Sequence, residues 1–181
     1  MSRLFDVEIR GLQRFNRRMG ELVKRLPVAA QEGTERAAES TLRLALTFAH
    51  GLLRSALRVE VIDTADWSVK ASRVFNDTAL LPWSSYVEFG TGRYVDDEGV
   101  PEAERLKRAK QIPWYVHVSM VPASFARYGY PLVVGRNGEQ YWQVDGMRPR
   151  PYLHPAAFQN REENARLVAG AIEEMFREVC G

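Results

Sequence analysis

Tyr86-Val87-Glu88-Phe89-Gly90-Thr91-Gly92 is the stretch around which the rest of the chain has to be arranged. Glycine reaches positive φ without a Cβ clash, so Gly90 and Gly92, on either side of Thr91, allow a sharp turn. Ahead of the turn, Tyr86, Val87 and Phe89 supply large apolar surface, and Glu88 is the one charge. The segment reads as a buried anchor ending in a forced turn, with Glu88 hydrogen-bonded to the Gly90–Gly92 turn or paired with Arg148. Glycines around a threonine can also cradle a phosphate. This segment has neither the lysine of a P-loop nor the third glycine of a dinucleotide fingerprint, which favours the structural turn.

The second informative stretch is Met147-Arg148-Pro149-Arg150-Pro151-Tyr152-Leu153-His154-Pro155-Ala156. Each proline fixes φ and biases the residue before it toward extended geometry. The stretch is therefore a stiff arm, not a loose linker. Arg148 and Arg150 fall on roughly one side, and Tyr152 and Leu153 are its apolar anchors. Pro155 suits the first turn of a helix, where its missing N–H costs nothing. Two readings stay open: an arm packed on its own domain, and an arm docked on a neighbouring subunit. The second predicts that polar residues at 152 and 153 leave the monomer folded and block assembly.

Ile112-Pro113-Trp114-Tyr115 and Gln140-Tyr141-Trp142 lie between the two stretches. In this order the segments resemble the minor-tail family of tailed bacteriophages, small proteins that join heads to tails or complete the tail. The resemblance spans roughly residues 7 to 179. It implies a pair of N-terminal helices, a sheet, a VEFGT-like turn, an R-P-x-P-(Y/F)-L-x-P-A arm and a C-terminal helix. The family carries Thr-Gly-x-Leu-Arg-x-Ser-Ile after the second helix. This chain has Gly51-Leu52-Leu53-Arg54-Ser55-Ala56 without the preceding proline and threonine.

The chain has 181 residues, 45% hydrophobic and 27% charged, which fits one domain, 1–181, able to bury a core without disulfides. Its single cysteine, Cys180, predicts no internal bridge. The N-terminal residues lack an apolar core, which predicts no secretory leader, and no apolar run is long enough for a membrane span. A net charge of +2 argues against DNA binding by bulk electrostatics.

Residues 4–10 alternate like a short strand. Leu12, Phe15, Met19, Leu22 and Leu26 recur at spacings of three and four, predicting a helix over about 12–26 that Pro27 ends and that packs on its own domain. Ala38, Leu42, Ala45, Leu46, Ala49, Leu52 and Leu53 mark the buried face of a second helix, about 28–55. Alternation over 57–75, around an Asp63-Thr64-Ala65-Asp66 turn and with Trp67 and Val69, predicts an antiparallel hairpin. Further strands are expected within 112–145, where Asn137-Gly138 suits a type I′ turn. Residues 93–111 form a charge-dense insertion in which Glu104 and Arg108 are placed for a helical pair, and the elaborated loop region extends to about 131. Ala165, Val168, Ala171, Ile172, Met175 and Val179 give the stripe of a helix over about 155–179, widened by Leu167 and Phe176. The fold class expected is α+β: two N-terminal helices and one C-terminal helix packed on an antiparallel β-sheet.

His50, His117 and His154 are far apart and in no ligand spacing, and no G-x-S-x-G elbow supports a serine nucleophile. The expectation is no catalytic, cofactor-binding or metal site. Tyr86, Glu88, Phe89, Gly90, Thr91, Gly92, Arg148, Pro149, Pro151, Tyr152, Leu153 and Pro155 are instead the structural-motif or subunit-interface residues. The resemblance implies a non-catalytic virion protein, assembled in the bacterial cytoplasm, that forms a homo-oligomeric ring of about six copies. The ring would sit at the head–tail junction or the top of the tail. Its partners would be the neighbouring neck and tail proteins (stopper or adaptor, tail terminator, tail tube), with DNA passing through the lumen without specific binding. The alternative is a nucleic-acid-binding module built on Arg14, Arg17 and Arg18, which share one face of the N-terminal helix in a segment that also carries Arg3, Arg10, Lys24 and Arg25.

Overall fold

The computed structural model describes residues 11–62, 71–96 and 110–181. The strand expected over 4–10, the Asp63–Asp66 turn with Trp67 and Val69, and the Glu104–Arg108 pair lie outside the described residues. The elements are a long helix α1 (Leu12–Phe48), a short α2 (Leu53–Ala56), strands β1 (Leu57–Ile62) and β2 (Ala71–Asn76), and helix α3 (Ser84–Phe89). Then come β3 (Trp114–His117), β4 (Leu132–Val134), β5 (Gln140–Val144), α4 (Leu153–Gln159) and α5 (Arg161–Cys180). The fold is α+β, with helices at both ends of the described chain. The described residues gather into two compact units, one of 11–47, 57–62, 71–75 and 155–181, the other of 48–56, 76–96 and 110–154.

In the first unit, the two expected N-terminal helices are one. Pro27 lies inside α1 instead of ending it. A proline in a helix interior removes one N–H bond and costs about 3 kcal/mol in isolation. Packing on either side of it wins here: Ala29 clusters with Met175 and Val179 of α5, and Leu22 and Ile172 lie against that cluster. The carbonyl freed one turn earlier belongs to Val23, which is exposed to water. The second predicted stretch ends early, with α1 stopping at Phe48 and a turn leading through Gly51, at φ 56°, into α2.

α5 runs antiparallel to α1. Arg25 pairs with Glu178, Arg36 with Glu174, and Thr41 meets Asn164. Gly33 allows the close crossing, since a Cβ there would stand 2.8 Å from the Val168 Cα. The single C-terminal helix of the sequence reading is two. Asn160 separates α4 from α5 and is nearly buried. Its amide donates to Ser40 Oγ at 3.1 Å, Thr41 Oγ1 at 3.2 Å and Asn164 Oδ1 at 2.7 Å. These bonds fix the kink at one place on α1. β1 and β2 form a two-stranded sheet of this unit, tied to α1 where Thr34 Oγ1 meets Ser72 Oγ at 3.2 Å.

The second unit holds a separate three-stranded sheet in the order β3-β5-β4, where one sheet was expected. β3 and β4 pair antiparallel on either edge of β5, with Val116 opposite Trp142 and Val133 opposite Tyr141. A hairpin turn forms at Asn137-Gly138, but not as the type I′ turn expected. Only Gly138 has positive φ, at 78°, and its N–H donates to Gly135 O at 3.0 Å, so the tight turn centres on Arg136 and Asn137, while the Gly135 N–H donates to Glu139 O at 2.8 Å. The irregular stretch before β4 is organised by rings. Phe125 meets Tyr128, Tyr130 and Trp142 at centroid distances of 5.4, 5.5 and 5.9 Å.

Candidate functional site

The two diagnostic stretches, far apart in sequence, meet in the second unit and interlock main chain to main chain. Tyr86-Val87-Glu88-Phe89 is the end of helix α3, and the turn after it is built as glycine permits, with Gly90 at φ 77° and Gly92 at φ 63°. Thr91 sits between them as a two-way clasp. Its N–H donates to Met147 O at 2.9 Å, and its hydroxyl accepts the Met147 N–H at 2.8 Å. The Arg93 N–H donates to Asp145 O at 3.0 Å, and the Arg93 guanidinium pairs with the Asp145 carboxylate at 3.2 Å. A Cβ on Gly92 would collide with the carbonyl oxygen of Asp145, and one on Gly146 with that of Thr91. Gly90 is equally confined, its missing Cβ lying 2.7 Å from Tyr94 O and 2.9 Å from the Pro149 ring.

Glu88 is the centre of the lock. It is 3% exposed, and its partners are neither the Gly90–Gly92 turn nor Arg148, the two expected from sequence. One carboxylate oxygen accepts the N–H groups of Tyr152 at 2.8 Å and Leu153 at 3.1 Å; the other accepts that of His154 at 2.8 Å. The carboxylate thus satisfies the donors that the first turn of α4 leaves without intrahelical partners. A negative charge at that end also complements the helix dipole. The anion is held by backbone, so its role follows from where α4 starts. That start is Leu153, two residues before Pro155, which lies within the first turn.

The proline arm packs on its own chain. The Arg150 N–H donates to Val87 O at 2.8 Å, Pro149 lies against Gly90, and Tyr152 is 1% exposed. The Tyr152 hydroxyl donates to Asn76 Oδ1 at 2.8 Å. Tyr152 is therefore buried within its own chain instead of standing free as an anchor for a neighbour, and its replacement by a polar residue is expected to destabilise the fold. Leu153 is half-buried. Arg148 and Arg150 remain exposed, with Arg148 lying 5.5 Å above the Tyr94 ring. Together with Tyr94, Tyr130 and Asp145 they line an open polar cleft of about 350 Å³.

Burial pushes the Tyr152 phenol up to about 12, with the nearby Glu88 charge adding to the effect. The folded state therefore holds this proton more tightly than the unfolded chain, whose phenol titrates near 10. The resulting stability is complete below pH 10 and is lost as pH rises from 10 toward 12. Tyr152→Phe is expected to lower stability by about 1 kcal/mol at pH 8, through the lost Asn76 bond. The gap to the parent should narrow above pH 10, as read from urea unfolding at several pH values. A gap that is constant with pH would mean the phenol is not sheltered.

One constellation was not foreseen. His117 Nδ1 meets Ser119 Oγ at 2.6 Å, and its Nε2 lies 3.9 Å from the Glu139 carboxylate. The same Nδ1 accepts the Ser119 N–H at 3.2 Å, which makes it the cap of a short turn after β3. Glu139 in turn accepts from the Tyr141 hydroxyl at 2.9 Å. The group is exposed, and the nitrogen nearest the serine is committed to the turn. Among the described residues, no cluster of three or more His, Cys, Asp or Glu is placed to hold a metal ion. No helix among them is long and apolar enough to cross a membrane.

Sequence reasoning missed Asn76 as the partner of Tyr152, Asp145-Gly146 as the far half of the lock, and the Thr41–Asn160–Asn164 network. The Asp-Gly dipeptide was the one available signal for the second. Compared with protein-family models, with curated proteins and with solved structures, the chain finds no match.

Proposed function

We propose that this chain is a non-catalytic structural protein of a tailed-phage virion, closing into a ring of identical subunits at the head–tail junction or the top of the tail. The observation that carries the proposal is the quantity of large apolar side chain left in solvent. Trp83, Met120, Tyr115, Leu132 and Val134 of the second unit, and Phe158 and Phe176 of the first, are all exposed. Where such side chains adjoin into a contiguous patch, they mark contacts with other chains. The lock supports the same reading, because the residues behind the resemblance hold backbone instead of a reactive group. Neighbours in the assembly would be other neck and tail proteins, and the DNA would pass without being gripped.

Light scattering coupled to size exclusion tests the proposal. The expected result is one closed species of several subunits, seen as rings in negative stain. A monomer at every concentration, up to the solubility limit, overturns it.

A second reading has one observation in its favour. Arg14 and Arg17 are exposed and Arg18 is half-buried, and none of the three makes an ion pair among the described residues. As a duplex-DNA site they would give a gel shift that weakens steeply with salt, and no shift at low salt removes this reading.

A further inference from the structure

The first part of α1 is an amphipathic helix that nothing among the described residues covers. Leu12 is 47% exposed, Phe15 60%, Met19 43%, Val23 69% and Leu26 41%. Leu12, Phe15 and Met19 continue, toward the helix N-terminus, the stripe whose next members, Leu22 and Ala29, pack against Ile172, Met175 and Val179 of α5. From Leu12 to Glu21, about 15 Å of helix, the stripe extends beyond Leu22, the residue of it that packs against the α5 cluster. The expectation that the whole stripe packs on its own domain therefore holds for Leu22, while Leu12, Phe15, Met19 and Leu26 stay exposed.

The covered part shows what chemistry suits the uncovered part. α5 presents apolar residues to the stripe and sets acids beside its basic flank, Glu178 on Arg25 and Glu174 on Arg36. Arg18 stands seven residues before Arg25, two turns away on the same side of the helix, and makes no ion pair among the described residues. A second copy laid parallel along this face would bring Arg18 toward its own equivalent, a like-charge juxtaposition. A nucleic acid would use the arginines and leave Phe15 and Met19 in water.

The geometry points to a helix of a different protein as the occupant: an amphipathic segment with acidic residues beside its apolar stripe, docked along Leu12, Phe15 and Met19 in line with α5. This mode, a helix face read through anchors at three- and four-residue spacing, is common in recognition. The inference goes beyond the ring and stands without it.

The test uses the full chain and two fluorescent synthetic helical peptides with identical leucine heptads. One carries glutamate and the other lysine at the flanking positions. Fluorescence anisotropy should show the glutamate peptide binding at least tenfold more tightly. Phe15→Glu and Met19→Glu should each weaken it tenfold or more with unchanged circular dichroism, and Arg18→Glu should shift the preference toward the lysine peptide. Any of four results overturns the inference: no binding of either peptide, equal binding of both, binding indifferent to Phe15→Glu, or a preference unmoved by Arg18→Glu. It is equally overturned if Phe15→Glu instead abolishes self-association, binding to phosphatidylglycerol vesicles or binding to duplex DNA, with no effect on the peptide.

Discussion

Glu88→Ala is expected to destabilise the second unit by roughly 3 to 5 kcal/mol, the largest effect of any single side-chain truncation in the lock. The size follows from what is left behind. Three N–H groups, those of Tyr152, Leu153 and His154, lose their acceptor at once. A buried donor left unsatisfied costs about 1 to 3 kcal/mol. Water entering the vacated space recovers part of that cost, so the three penalties do not simply add. Glu88→Gln keeps one carbonyl oxygen, but turns an amide NH₂ toward at least one backbone N–H; a loss of about 2 kcal/mol is expected. Denaturant unfolding, with the slope held as a check on the denatured state, measures both. If alanine and the parent unfold at the same midpoint, the carboxylate is not holding the start of α4.

Gly92→Ala is the second large effect, expected at about 3 to 5 kcal/mol, and it comes with an internal control. A non-glycine residue at φ 63° carries a conformational penalty of about 1 kcal/mol. Gly138, at φ 78°, carries the same penalty, but a Cβ there would meet nothing within 4 Å. Gly138→Ala should therefore lose only about 1 kcal/mol. The excess at Gly92 measures the clash with the Asp145 carbonyl, which cannot retreat without breaking its bond from the Arg93 N–H. Equal losses at the two glycines would mean that the two stretches do not meet as described.

Elements whose signal is local were legible in the sequence. The alternation within 112–145 and the Asn137-Gly138 turn gave the β4–β5 hairpin, because side-chain period and turn chemistry act over a few residues. Gly90 and Gly92 were legible for the same reason. The union of two helices across Pro27 was not, since the local rule says a proline ends a helix and the opposing energy comes from Met175 and Val179, far away in sequence. The kink at Asn160 was hidden in the same way, because its amide finds Ser40 and Thr41 on another helix. Glu88 is the instructive case. Its burial and its structural role were readable from its apolar neighbours. Its partners were not, because they are backbone donors, and backbone groups have no sequence signature. The reading looked for a nearby turn or an arginine, and the chain supplied the start of a helix instead.

The meeting of Arg93 with Asp145 gives the chain between them a common doorway: it leaves and returns at one point. Such an excursion can lengthen or shorten at little thermodynamic penalty, because closure entropy grows only with the logarithm of length. Residues added or removed within the excursion are thus expected to leave the clasp at the threshold as it is.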